Sequence, residues 1–74
     1  MFIAKEVKKT SKGNTYMILQ DSPSTFHISV TIGNFVSYDF IESPSNVETI
    51  YTRIEELEIE LETNINTIQT QSST

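Results

Sequence analysis

The chain lacks cysteine and tryptophan, and it has one histidine, two glycines and two prolines among its 74 residues. Without cysteine it has neither disulfides nor thiolate metal sites, and a single histidine leaves carboxylates as the only other common metal ligands. Two glycines cannot form a glycine-rich phosphate loop. We therefore expect no metal site and no cofactor.

Long apolar runs are also missing. No stretch approaches the length of a membrane span, and Lys5 and Glu6 interrupt the apolar residues at the start, where a signal peptide would need an unbroken apolar segment. We expect an intracellular, cytoplasmic protein that does not bind membranes. A chain of this length buries only about 60% of the surface that it exposes when unfolded, so a second subunit would add useful burial.

Turn-forming residues divide the first forty positions into short runs rich in β-branched and aromatic residues. Gly13 and Asn14 can take the positive φ of a tight hairpin, and Pro23 breaks the next pair of runs. The predicted strands are Phe2–Val7, Thr15–Gln20, Thr25–Ile32 and Val36–Ile41.

The third and fourth strands alternate apolar and polar residues, as half-buried strands do. A two-residue loop, 33–34, would set polar residues of one strand against apolar residues of the other. A three-residue loop, 33–35, instead pairs Ile32 with Val36, Val30 with Tyr38 and Ile28 with Phe40 on one face. We therefore predict the three-residue loop and expect the helix to cover this shared apolar face, formed by Phe26, Ile28, Val30, Val36, Tyr38 and Phe40.

Near Ser43 the period changes to that of a helix. Ser43 followed by Pro44, or Ser45 with Glu48 as a capping box, predicts a helix start near residue 45. An amphipathic stripe then runs past residue 62. The sequence predicts a single α+β domain, 1–68, with a four-stranded antiparallel meander followed by one long C-terminal helix, ββββα, and a disordered tail, 69–74.

The same stripe contains a heptad pattern. Val47, Ile54, Leu61 and Ile68 recur every seven residues, with Ile50 and Leu57 between them. Such a pattern is typical of a short coiled coil between two copies. We predict a homodimer with Ile54, Leu57 and Leu61 at the helix seam, while the simpler interpretation places these residues against the chain's own sheet.

The net charge of −5 is unevenly distributed. Residues 1–41 carry four lysines and three acidic residues, a charge of +1, whereas residues 42–74 carry seven glutamates and one arginine, a charge of −6. Few basic residues occupy the i+4 positions that would neutralise the helix. The predicted partner-binding residues are therefore on its acidic side: Glu48, Glu55, Glu58, Ile59 and Glu62.

Glu48, Glu55 and Glu62 recur every seven residues and line one flank of the helix. A row of carboxylates, doubled in a dimer, is similar in charge layout to the DNA-mimic proteins of bacteriophages as a class. We therefore predict a non-enzymatic inhibitor, of the kind that phages use in host takeover, that docks its acidic helix on a basic, nucleic-acid-binding protein. The alternative is a structural or assembly subunit that oligomerises through the helix.

Two other functions are disfavoured. In the three-residue register Ser29 lies opposite Asp39, with His27 on a diagonal, so the residue types of a nucleophilic triad share the polar face. A flat hairpin face, however, offers neither an oxyanion hole nor a strained nucleophile turn. Lysines cluster at the first hairpin, but they are few and lie beside an acidic helix, so we expect no direct binding of nucleic acid. These lysines are Lys5, Lys8, Lys9 and Lys12.

Overall fold

The computed structural model describes the backbone of residues 3–72 and the side-chain environments of residues 5–68. Its elements are β1 (Ile3–Lys9), β2 (Thr15–Ser22), β3 (Thr25–Ile32), β4 (Phe35–Glu42) and α1 (Val47–Ser72). The strands form one antiparallel sheet in chain order, so the predicted ββββα architecture is confirmed. Phe2, the predicted start of the first strand, lies outside the described residues.

Helix α1 extends beyond residue 68, the predicted end of the domain. It includes residues 69–72 of the segment predicted to be disordered, and residues 73–74 lie outside the described part of the chain. The hydroxyls of Thr63 and Thr67 donate hydrogen bonds to the carbonyl oxygens of Ile59 and Thr63, which satisfies these polar side chains within the helix. Within the described residues, α1 is not apolar enough to cross a membrane.

The core lies between α1 and one face of the sheet. Ile28 and Val30, on β3, are 1% and 0% exposed. Around them pack two residues of β2 and three of α1, namely Tyr16, Ile18, Ile50, Ile54 and Leu57. The simpler interpretation of the helical stripe, packing on the chain's own sheet, is confirmed.

Two local features mark the approach to the helix and its first turn. Ser43 adopts a left-handed φ of 51°, and its N–H donates to the carbonyl oxygen of Ser24 at 2.6 Å. The cap itself is Asn46, whose Oδ1 accepts from the N–H of Thr49 at 3.0 Å. The predicted caps at Ser43 and Ser45 are therefore wrong, because the amide side chain of Asn46 reaches the same kind of donor from a later position.

The β3–β4 loop also differs from the prediction. Ile32 pairs with Phe35, so the loop contains only Gly33 and Asn34. Gly33 has a φ of 60°, the conformation that the first position of a two-residue type II′ turn requires. The three-residue prediction was wrong because it assumed that the apolar residues of both strands share one face, whereas the turn favours a register that separates them.

This register turns three apolar residues of β4 away from α1, whereas Ile41 packs against the core. Ile28 pairs with Asp39 and Val30 with Ser37. The prediction that Val36, Tyr38 and Phe40 belong to the buried face is therefore wrong. They project from the opposite side of the sheet, which we call the outer face. Among the residues whose side chains are described, the apolar ones on this face are Val7, Met17, Leu19, Val36, Tyr38 and Phe40.

Candidate interaction surface

The side of α1 opposite the core forms an exposed ridge, defined by Glu48, Thr52, Glu55 and Ile59. Glu48 and Glu55 are seven residues apart, about 10.5 Å along the helix axis. Ile59 is 56% exposed, as its position on the acidic side of the sequence pattern predicted. The ridge therefore combines carboxylates with one accessible apolar side chain on a rigid element.

The glutamates of the ridge differ from neighbouring glutamates of α1 in whether a described basic residue pairs with them. No described residue forms an ion pair with Glu48 or Glu55. Glu56 and Glu60, on the β4 side of the helix, bind Arg53 Nη1 at 3.3 and 2.8 Å. The ridge itself therefore keeps its negative charge uncompensated within the described chain.

Arg53 links the helix to the sheet. Its Nε donates to Asp39 Oδ2 at 2.7 Å. This hydrogen bond from Arg53, aided by the N–H of Phe40, lowers the pKa of Asp39 below its usual value. An acidic residue on the helix-facing side of β4 is thus paired by a guanidinium that arrives from α1.

Glu58 and Glu62, both predicted to bind a partner, contact the β1–β2 loop within the chain, and their role in binding a partner stays a prediction. Glu58 is 4% exposed, and its Oε2 accepts from Thr10 Oγ1 at 2.5 Å and from Asn14 Nδ2 at 2.6 Å. Glu62 accepts from Lys12 Nζ at 2.8 Å, a bond that raises the pKa of Lys12. These two glutamates fasten the loop to the helix, so the predicted acidic flank is reduced to Glu48 and Glu55.

A groove of about 400 Å³ lies between the β1–β2 loop and α1. Tyr16, Tyr51 and Ile54 line it, together with Lys12 from the loop and Glu55 and Ile59 from the ridge. Nothing in the linear pattern reveals this groove, because it depends on how the loop packs on the helix.

Glu6 holds the aromatic residues of the groove in place. It accepts hydrogen bonds from the hydroxyls of Tyr16 and Tyr51, the latter at 2.9 Å. These bonds lower the pKa of Glu6, while the bond to Glu6 and burial raise the pKa of Tyr16 to about 12. The tyrosine rings meet edge to face with centroids 6.3 Å apart.

The residues predicted to form the helix seam are buried within the single chain. Ile54, Leu57 and Leu61 are 3%, 2% and 7% exposed. Dimerisation at these positions stays a prediction, and it would require α1 to leave the sheet.

The residue types of a triad are not brought together. Ser29 pairs with Tyr38 and lies with His27 on the outer face, whereas Asp39 faces the helix and binds Arg53. The predicted neighbourhood of Ser29 and Asp39 was wrong, because it followed from the three-residue loop. Among the described residues, no cluster of three histidine or acidic side chains could hold a metal ion.

Comparisons of the chain with models of protein families, with curated proteins and with solved structures find no match.

Proposed function

We propose that this chain is a non-enzymatic binding protein that docks the exposed ridge of α1 on a basic surface of another protein. The observation that carries the proposal is the pair Glu48 and Glu55, exposed on a rigid helix without a counter-charge in the described chain. A partner that supplies lysine or arginine at this ridge gains electrostatic complementarity without breaking an existing ion pair. Such complementarity speeds association and makes it sensitive to salt.

The groove beside the ridge supports a basic partner in a second way. Tyr51 offers an aromatic ring and Glu55 a carboxylate at the same opening. An arginine side chain from the partner can stack its guanidinium on such a ring, bind the carboxylate, and lay its aliphatic stem against Ile54 and Ile59. The ridge would then supply attraction and the groove would supply specificity.

A row of carboxylates on a helix fits best on a surface that normally binds phosphates. The proposed partner is therefore a nucleic-acid-binding protein, and the proposed effect is to block its nucleic-acid site. Inhibition by occupancy requires no catalytic residue on this chain.

The test is affinity capture from a bacterial lysate on the immobilised full chain, with elution by a salt gradient and identification by mass spectrometry. We expect basic nucleic-acid-binding proteins to elute at moderate salt. Glu55→Lys should weaken capture about tenfold at low salt, because it sets like charges against each other across the interface. Glu42→Lys is the matched control, since Glu42 is exposed but lies at the end of β4, away from the ridge.

A second measurement separates mimicry from simple adhesion. The captured protein is bound to labelled nucleic acid, and the free chain is added in an electrophoretic mobility assay. Release of the nucleic acid supports the proposal. Equal capture by Glu55→Lys and Glu42→Lys, or a partner that keeps its nucleic acid while the chain is bound, contradicts it.

A further inference from the structure

The outer face of the sheet carries exposed apolar side chains that the described residues do not cover, with Ser29 and Thr31 of β3 between those of β2 and β4. Val7, Val36, Tyr38 and Phe40 are 59%, 63%, 60% and 50% exposed. The last three follow one another on one side of β4, and Val7 pairs with Met17 of β2 on the same face of the sheet. His27 adds an aromatic ring stacked on Tyr38 with centroids 5.8 Å apart. Contiguous apolar patches of this kind mark interaction surfaces in soluble proteins.

We infer that the outer face pairs with the outer face of a second copy of this chain, forming a dimer in which two sheets pack face to face between two outer helices. The inference goes beyond the proposed function and does not depend on it, because the ridge of α1 and the outer face lie on opposite sides of the molecule. A two-fold arrangement places the same patch on both subunits.

The area of the face agrees with such a dimer. Four strands about 4.8 Å apart and about 26 Å long give a face of roughly 500 Å² per copy. Two such faces together remove roughly 1,000 Å² from solvent, the lower bound for a specific interface. Tyr38 and Phe40 place aromatic rings on this face, and aromatic residues dominate the energetics of well-packed interfaces.

The distribution of charge also favours a second copy at this face. Each helix lies behind its own sheet, so face-to-face packing separates the two acidic helices by about 30 Å. This distance exceeds the Debye length of about 8 Å at physiological ionic strength, so mutual repulsion is screened. Pairing through the helices would instead bring the uncompensated glutamates together.

The test measures the mass of the full chain by sedimentation equilibrium at concentrations up to about 0.5 mM, where even weak dimers form. We expect twice the chain mass of 8.4 kDa, with no loss of dimer when the salt concentration rises. Val36→Glu combined with Phe40→Glu should weaken the dimer at least about 100-fold, because the interface would bury uncompensated charges. Circular dichroism establishes that the variants are folded, as expected because both side chains are exposed in the single chain.

The matched control is Val47→Glu combined with Ile68→Glu. These helix residues are 62% and 50% exposed, close to the values for Val36 and Phe40, and they belong to the heptad pattern. The control should remain dimeric. The inference is overturned if the helix control loses the dimer while the sheet variant keeps it. It is also overturned if the wild-type chain stays monomeric, even where its outer face binds phosphatidylcholine vesicles or another protein.

Discussion

Glu58→Gln tests whether the β1–β2 loop is held to the helix by a buried carboxylate. Glu58 is 4% exposed and accepts hydrogen bonds from Thr10 and Asn14, at 2.5 and 2.6 Å. Glutamine keeps the shape of the side chain and one oxygen acceptor but removes the charge. The substitution therefore changes the strength of these two hydrogen bonds with little change in packing.

The magnitude follows from the hydrogen bonds alone. A hydrogen bond to a charged group contributes about 1.5–3 kcal/mol and a neutral one about 0.5–1.5 kcal/mol. Weakening two of them gives an expected loss of about 2 kcal/mol in the free energy of unfolding. For a domain of this size, such a loss lowers the Tm by roughly 8–16 °C.

Urea denaturation followed by circular dichroism measures the effect. Glu55→Gln is the matched control, because the same chemical change occurs one turn away on the exposed ridge and should alter stability by less than about 0.5 kcal/mol. Equal stability of the two variants would refute the reasoning. A stabilised Glu58→Gln would show that the desolvation of the buried charge outweighs its hydrogen bonds.

Three further predictions concern other contacts. The pKa of Tyr16 in the fold is about 12 and that of an unfolded tyrosine is 10, so this tyrosine stabilises the fold fully below pH 10 and loses that effect as the pH rises to about 12. Glu6→Gln should lower the pKa of Tyr16 in a tyrosinate absorbance titration. An unchanged titration would contradict the assignment of the raised pKa to the hydrogen bond with Glu6. Arg53→Met should cost about 1 kcal/mol in urea denaturation at low salt and less at high salt, and a loss independent of salt would contradict an electrostatic origin. Ser43→Gly should stabilise the chain by about 0.5 kcal/mol. The left-handed φ of residue 43 is strained for serine but not for glycine, and this strain exceeds the entropy that a glycine loses on folding. A less stable variant would contradict this prediction.

The order and type of the elements were predictable because each depends on local pattern. The alternation in β3 and the helical period of α1 each extend over several residues, and Gly13, Pro23 and Gly33 mark the turns between strands. The register of β4 was not predictable in this way. Alternation shows which residues share a face of a strand, but it does not show which face meets the core.

Besides the two-residue turn at Gly33 and Asn34, the register depends on a contact between residues distant in the sequence. The correct register places Asp39 on the helix-facing side of the sheet, which an argument from apolar pairing excludes. Arg53 from α1 binds this carboxylate and allows it to stay there. No pattern within β4 could indicate that a residue from the helix would supply the counter-charge.

Part of the candidate surface was likewise predictable from the sequence, and part was not. The exposure of Glu48, Glu55 and Ile59 follows from their angular position on the helix and was predictable. The burial of Glu58 was not, because its hydrogen-bond donors lie 44 and 48 residues away in the β1–β2 loop. The groove was missed for the same reason.

The two proposals together constrain how a dimer could bind its partners. Pairing through the outer faces would direct the two acidic ridges to opposite sides, more than about 30 Å apart, instead of joining them into one longer row of carboxylates. A single basic groove could then contact only one ridge, so the dimer would gain no avidity on one partner and would carry two partner molecules. Isothermal titration calorimetry should give one partner per chain, with the same affinity for the dimer as for the monomeric Val36→Glu, Phe40→Glu variant. One partner per two chains would show that the two ridges act jointly on one partner. A marked loss of affinity in that variant would show that pairing through the outer face contributes to binding. Either result contradicts independent ridges.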